Sequence, residues 1–332
     1  MSKPTISLCM IVKNEEKQLP RCLSSVQGAV DEIIVVDTGS TDGTREIASR
    51  FGAKVCRVEW NGDFAFARNV GLLQAKGTWI LFLDADEELE QSHAQELRAY
   101  AEHLELDGLF LQIHNHNGDH RDSPTATINP ILRMFRNRPE YRFKGKIHEQ
   151  IAESIVSAKP DASFHITSIC IHHYGYSGEE VARKNKIERN AGLLREQLEQ
   201  EPNNPFPHYN MAVEYMRMNR FEDATAHIRR ALDLCAPETS YRHLLFKYGA
   251  RCLLLLKRYE EAAAMCSQGL EECPEYTDLV RFIGSDPSRG RAQTRGADGA
   301  HSSHPNGGSA GALSHGIGNG HLLVLSCIRA AV

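Results

Sequence analysis

Aromatic residues are sparse in this chain, 7% of it with only 2 tryptophans. No apolar run approaches the roughly 18 residues that a membrane-spanning helix needs. Positive charge is not in excess. The formal net charge is −5, which removes the electrostatic basis for nucleic-acid binding. No Cys-x-x-Cys pair occurs, and the 9 cysteines are scattered and odd in number. They read as buried thiols in a reducing cytosol rather than a disulfide framework or a zinc site. A Walker loop and a G-x-G-x-x-G turn are both missing, so P-loop and dinucleotide chemistry drop out. Of the 16 histidines, those at 114, 116 and 120 fall in polar turns and those at 301, 304, 315 and 321 in the C-terminal tail, where no site is expected. Met1-Ser2-Lys3-Pro4 runs straight into an apolar strand with no signal peptide ahead of it. A soluble, cytoplasmic protein is expected, with peripheral attachment at the inner membrane face left open.

What is present is a repeated strand-to-polar-loop pattern. Ile6–Val12 reads as a strand and breaks into Lys13-Asn14-Glu15-Glu16. Glu32–Asp37 reads as a second, followed by Thr38-Gly39-Ser40-Thr41-Asp42-Gly43-Thr44, which can cap a helix beginning near Thr44. Leu19, Cys22, Leu23 and Val26 give helical spacing between them. Strand, helix, strand, helix implies a parallel sheet with covered faces. The octet Trp79–Asp86 then reads as a buried strand ending in two carboxylates, Asp84 and Asp86. Such charges need compensation. A divalent cation carrying a diphosphate would provide it, because Mg²⁺ and Mn²⁺ are held by one or two carboxylates plus phosphate oxygens. Three polar clusters at one rim of an α/β sheet favour a nucleotide crevice.

The segments Ile6–Glu16, Asp31–Thr44 and Ala67–Glu88 resemble the donor-binding half of family 2 glycosyltransferases, which have the GT-A fold. The likeness is close over these segments and looser to residue 176. Ala67-Arg68-Asn69-Val70-Gly71 and Ala75-Lys76-Gly77-Thr78-Trp79 ahead of Asp-Ala-Asp are its most specific part. The resemblance implies that Asp37 reads the nucleobase, usually uracil, that Asp84 contacts ribose or sugar, and that Asp86 binds the metal. It places Arg68 near the diphosphate, where a guanidinium fork suits phosphate oxygens. Asn14 and Glu15 border the nucleotide. Direct displacement with inversion at the anomeric carbon is implied, with a general base for an acceptor hydroxyl, thiol or amine.

Leu109–His114 and Ile131–Arg136 read as strands, with a turn over Asn115–His120 between them. Tyr141–Gln150 resembles the Phe-x-Gly-x-Ile-His-Glu stretch of family members that carry helical repeats. Glu149 is the candidate base, with His148 beside the acceptor or the metal. His172 and His173 follow the strand Ile166–Ile171, and one of them could complete the metal shell. Neighbours on a strand face opposite ways, so only one is expected to reach. His173 is preferred.

After Tyr176 the pattern changes. Ser177-Gly178-Glu179-Glu180 is a capping box opening a charged helix to about Gln200, which Pro202–Pro205 ends. Two related helical pairs follow. Phe221 aligns with Tyr259 and Ala224 with Ala262, a spacing of 38 that suits a repeat of about 34 residues with a longer turn. These resemble tetratricopeptide repeats (TPR). From Ser285 the chain is rich in Gly, Ser, His and Arg with no aromatic residue, a composition that cannot bury enough apolar surface to order itself. It also looks unlike the repeats it interrupts, as an altered reading frame would make it. The expected fold class is therefore α/β, a GT-A Rossmann-like nucleotide-diphospho-sugar transferase domain over residues 1–176. A linker helix (177–204), an all-α TPR-like segment (205–284) and a disordered tail (285–332) follow.

The expected activity is metal-dependent (Mn²⁺ or Mg²⁺), inverting transfer from a nucleotide-sugar, usually a UDP-sugar, to a peptide, glycan or lipid-linked acceptor. Homo-oligomerisation through the repeats is a further expectation. A catalytically silent GT-A domain acting as a TPR-type interaction module is the alternative. A nucleotidyltransferase is disfavoured, because the loop after the first strand is acidic and free of glycine.

Overall fold

The computed structural model describes residues 3–116, 125–174 and 180–274, with Tyr276 and Leu279. Two compact units divide the chain between Leu193 and Leu194.

In the first unit the elements are β1 (Ile6–Val12), α1 (Leu19–Ser25), β2 (Glu32–Asp37), α2 (Thr44–Arg50), β3 (Lys54–Arg57), α3 (Phe64–Gln74), β4 (Trp79–Phe82) and β5 (Glu87–Leu89). They continue as α4 (Ala94–Ala101), β6 (Gly108–His116), β7 (Thr125–Arg136), α5 (Ala152–Ala158) and β8 (Phe164–Tyr174). The strands form one sheet in the order β3-β2-β1-β4-β7-β6-β8-β5. The first four run parallel, β7 returns antiparallel to both β4 and β6, and β6 and β8 pair in parallel. Covered faces follow from β1 itself. Ile6, Leu8, Met10 and Val12 join Leu19, Cys22, Leu23 and Leu97 in one core, while Cys9 points into a second with Leu72, Phe82 and Phe135. Each large side chain so buried contributes about 2 kcal/mol.

Three expected boundaries shift. The octet Trp79–Asp86 is a strand only to Phe82; Asp84-Ala85-Asp86 forms a turn leading into β5. The strand expected over Leu109–His114 continues to His116, so His114 and His116 are strand residues rather than turn residues. The strand expected over Ile166–Ile171 runs from Phe164 to Tyr174. His120, the capping box from Ser177 to Glu179 and the tail from Ser285 lie outside the described residues.

The motif around Gly77 is explained at the opposite rim. A Cβ on Gly77 would sit 2.5 Å from Ser7 Oγ and 2.7 Å from Ser7 N. Gly77 N instead donates to Ser7 Oγ (2.8 Å) and Glu32 Oε1 (3.0 Å). This packing fixes where β4 starts beside β1.

After α6 (Glu180–Gln200), the second unit contains two antiparallel hairpins, α7 (Pro205–Arg217) with α8 (Phe221–Leu234) and α9 (Arg242–Leu255) with α10 (Tyr259–Glu272). Phe221 and Tyr259 open α8 and α10, and Ala224 and Ala262 are buried where helices approach closely. Arg242 joins the hairpins. Its guanidinium grips the Glu272 carboxylate and donates to the carbonyls of Leu232 (2.8 Å) and Cys235 (2.9 Å). The Arg242 hydrogen bond holds the Glu272 carboxyl below its ordinary 4.5, outweighing partial burial. A carboxyl depressed on folding gives stability that is present above the unfolded value and lost as pH falls through the folded one. The chain and its Glu272→Gln variant are therefore expected to melt apart at pH 7 and to converge well below pH 4.5. A gap persisting in acid would assign the stabilisation to something other than this ion pair.

No described helix is long and apolar enough to cross a membrane.

Candidate active site

The carboxyl ends of β1 and β2 are stitched together. Asp37 is 1% exposed, and its Oδ1 accepts from Gly39 N (2.8 Å) and Ser40 N (2.9 Å). Ser40 Oγ then accepts from Asn14 N (3.0 Å), and Asn14 Oδ1 accepts from Thr41 N (2.8 Å). Asn14 has φ of 58°, a left-handed conformation that asparagine tolerates better than most residues. Glu15 N donates to Thr44 Oγ1 (2.7 Å), and Glu16 Oε2 accepts from Gly43 N (2.9 Å). Asn14 and Glu15 thus tie the loop after β1 to the loop after β2, while the Asp37 carboxylate is turned onto its own loop.

Below this rim lies an alternating chain of charges. Arg68 sits on the buried face of α3, whose N-cap is Asp63 and whose Gly71 packs on Val36. Its guanidinium stacks over Phe82 (5.0 Å) and Phe143 (5.5 Å). Arg68 Nε donates to Glu149 Oε1, and Nη2 donates to Asp84 Oδ1 (3.2 Å). The second oxygen of Asp84 meets Arg133 Nη2 (3.3 Å), and the same nitrogen binds Glu87 Oε1. Burial opposes ionisation of Asp84, yet Arg68 and then Arg133 hold its carboxyl well below the usual range. Glu87 differs: burial pushes it up to about 7 against the pull of Arg133. Burial also disfavours the charge on Arg68, but Glu149 and Asp84 secure it.

Glu149 arrives here through Asn69, whose side chain exchanges two hydrogen bonds with the Phe143 backbone (2.9 and 3.0 Å). Within that loop Lys144 pairs with Gln150, Gly145 has φ of 94° and His148 has φ of 54°. Positive φ at a histidine is costly, so the tight turn is held by its surroundings.

The structure also separates the paired histidines. β5 pairs with β8 so that Glu87 opposes His173. His173 Nε2 lies 3.4 Å from Asp86 Oδ2, and Nδ1 is 2.8 Å from Asn115 Oδ1. The hydrogen bond to Asp86 raises the proton affinity of His173 more than burial lowers it. His172 points the other way, to Glu90 (3.2 Å) and His116 (2.9 Å). So His172, the less favoured of the two metal-ligand candidates, instead joins His114 and His116, expected in a polar turn, in an imidazole cluster; burial and the neighbouring rings lower the His114 pKa. Among the described residues no group of three or more His, Cys, Asp or Glu is arranged to hold a metal ion.

Arg133, Glu87, Asn69 and Asn115 were missed as site residues. A signal existed for Arg133, a charge flanked by Ile131, Leu132, Met134 and Phe135.

A family model described as Glycosyl transferase family 2 matches residues 7–157. A TPR repeat-containing protein of Synechococcus elongatus is 32% identical over 284 residues, covering 84% of this chain and 68% of that protein. The chain belongs to the family 2 glycosyltransferases. The glycosyltransferase SunS encoded by the SPbeta prophage of Bacillus subtilis is 30% identical over 259 residues, covering 77% of this chain and 60% of SunS. This family 2 chain thus spans about two thirds of the length of these relatives. The solved structure of S. aureus TarS residues 1–349 in complex with UDP-GlcNAc is similar at a TM-score of 0.47 and 18% identity, covering 87% of this chain and 92% of that one.

Proposed function

We propose that the chain transfers a sugar from a nucleotide-sugar, most simply a UDP-sugar, to a nucleophilic acceptor, with inversion at the anomeric carbon. The observation that carries this reading is the Glu149–Arg68–Asp84 chain set at the carboxyl end of β4, beside the Asp86–His173 pair. The nucleotide lies across the stitched loops 13–16 and 38–44, with Asn14 and Glu15 at its border. Asp37 shapes the nucleobase side by holding the second loop.

Asp86 and His173 fit a divalent cation. With the Asn115 carbonyl accepting the Nδ1 proton, Nε2 presents its lone pair beside the Asp86 carboxylate, and a cation there would replace the proton that Asp86 now favours. Two protein ligands leave the remaining positions to phosphate and water, as Mg²⁺ and Mn²⁺ sites commonly do. Bound Mn²⁺ or Mg²⁺ would supply Lewis-acid stabilisation of the departing diphosphate.

Arg68 has a buried Nη1 with no hydrogen-bond partner, and a diphosphate oxygen would satisfy it. Asp84, held ionised between two guanidiniums, accepts from a ribose or sugar hydroxyl. The acceptor lone pair forms the new bond to the anomeric carbon as the bond to the diphosphate oxygen breaks and its electron pair leaves with the nucleotide. Glu149 takes the acceptor proton on the oxygen not engaged by Arg68, with His148 alongside. The acceptor is a peptide, glycan or lipid-linked saccharide, and the repeats hold it or a second copy of the chain.

The test is Mn²⁺-dependent binding and slow hydrolysis of a panel of nucleotide-sugars. One UDP-sugar is expected to bind and turn over, with Asp86→Ala abolishing metal-dependent binding. Glu149→Gln should leave binding intact and slow transfer about 10²–10⁴-fold, the usual worth of a general base. Failure of the folded chain to bind any donor would sink the reading.

A further inference from the structure

We propose that Arg133 is a positioning residue for the donor half of the site, fixing the Asp84-Ala85-Asp86 turn through Glu87 without touching substrate. The inference rests on the donor-site reading above and adds a role that the reading leaves unassigned.

Arg133 enters from β7, the antiparallel neighbour of β4, one residue before Met134, which pairs with Leu81. Its Nη2 bridges Asp84 Oδ2 and Glu87 Oε1, and the other Glu87 oxygen accepts from Asp84 N (2.9 Å). Side chain, guanidinium, second carboxylate and backbone therefore close a ring around the first residue of the turn. The side-chain exposures show which members can meet a ligand: 38% for Asp84, but 12% for Arg133 and 2% for Glu87. The two covered members act through the open one. Cys22 lies under the same turn, its Sγ 3.5 Å from the Asp84 carbonyl, and Tyr174 N reaches the Asp86 carbonyl at 3.4 Å. The turn is thus braced from beneath and behind, and Arg133 is its brace on the β7 side. Arg68 holds the opposite Asp84 oxygen, so the carboxylate plane is set only when both guanidiniums are present. Arginine suits this task because its planar guanidinium fixes the direction of the N–H bonds on the Nη2 shared by the two carboxylates, whereas lysine offers a freely rotating point charge.

The experiment uses the full chain and its Arg133→Lys, Arg133→Met and Arg133→Met/Glu87→Gln variants. The double variant removes both buried charges together, which avoids an unpaired Glu87 if the single methionine variant fails to fold. Two readouts are taken: amide hydrogen exchange at residues 84–87, and UDP binding with Mn²⁺ together with KM and kcat for the donor. Expected are at least tenfold faster exchange at 84–87 with β1 amides unchanged, and a donor KM raised at least tenfold while kcat falls less. The lysine variant should recover part of the affinity. Lower melting temperature with wild-type exchange at 84–87 and wild-type KM would reduce Arg133 to a packing residue and overturn the proposal. If the wild-type chain binds no nucleotide, the donor reading fails on its own, and the exchange data still decide whether Arg133 braces the turn.

Discussion

Arg68→Met is expected to cost the chain both stability and turnover. Arg68 bridges Glu149 and Asp84, and removing it strips the Glu149 carboxylate of this counter-charge while Asp84 keeps Arg133. Breaking a buried pair typically costs about 3–5 kcal/mol, because the surviving charge is left uncompensated. That figure applies to the Glu149 side, where both side chains are 10% exposed; the Asp84 contact, at 38%, is screened and adds little. A domain of this size loses roughly 2–4 °C of melting temperature per kcal/mol, so a fall on the order of 10 °C is expected. Turnover should drop by about 10²–10³, the usual effect of deleting one group that stabilises developing charge. Arg68→Lys makes a sharper comparison. It keeps the charge but offers one nitrogen in place of the separate Nε and Nη2 that reach Glu149 and Asp84, so most of the stability should return while donor turnover stays low. Thermal melts and donor hydrolysis measured on all three proteins decide the matter. Wild-type turnover in a folded Arg68→Met protein would remove Arg68 from the site.

The elements that were legible in the sequence are those whose signal is local. β1, β2 and β4 are built on the apolar runs 8–12, 33–36 and 79–82, and α8 and α10 repeat the same register of an aromatic opening and a buried alanine. The elements that were not legible are short and polar. β3 (Lys54–Arg57) and β5 (Glu87–Leu89) carry two charged residues each and exist because a neighbour offers a ladder: β2 for one, β8 for the other. The same division holds in the site. Arg68, Asp84 and Asp86 stand in motifs and could be singled out from residue type and spacing. What each side chain touches could not be, since Arg68 meets Glu149 eighty-one positions away and Asp84 meets Arg133 at forty-nine. Asn69 stands in the Arg68 motif with no role attached and Asn115 is an ordinary polar residue in the sequence, and only the folded chain gives them the Phe143 backbone and His173 as partners. Conversely, Gly77 stood out in a motif linked to the donor site, and its structural work is done at the other end of the sheet.

Asp37 poses the same question in its sharpest form, and its substitution is the second large effect. The resemblance implies a nucleobase contact, whereas the carboxylate is 1% exposed and spends Oδ1 on the amides of Gly39 and Ser40. Hydrogen bonds to a charged acceptor are worth about 1.5–3 kcal/mol each, and their loss leaves the covered Ser40 N–H without this partner. Asp37→Ala is therefore expected to destabilise the first unit by about 3–5 kcal/mol. The damage should spread along the stitching, because Ser40 orients Asn14 and Asn14 orients Thr41. Donor KM should rise at least tenfold with it. Asp37→Asn separates the two roles. Its carbonyl can still accept both bonds that Oδ1 now accepts, at the cost of an amide nitrogen beside Ser40 N, which also lies 3.3 Å from Oδ2. If Asp37 works by holding the loop, the asparagine variant keeps near-native donor affinity and an unchanged preference among uridine, cytidine and guanosine diphosphates. A switch of that preference in a protein that melts like the wild type would mean the carboxylate reads the base directly, and the loop would then have to open to expose it.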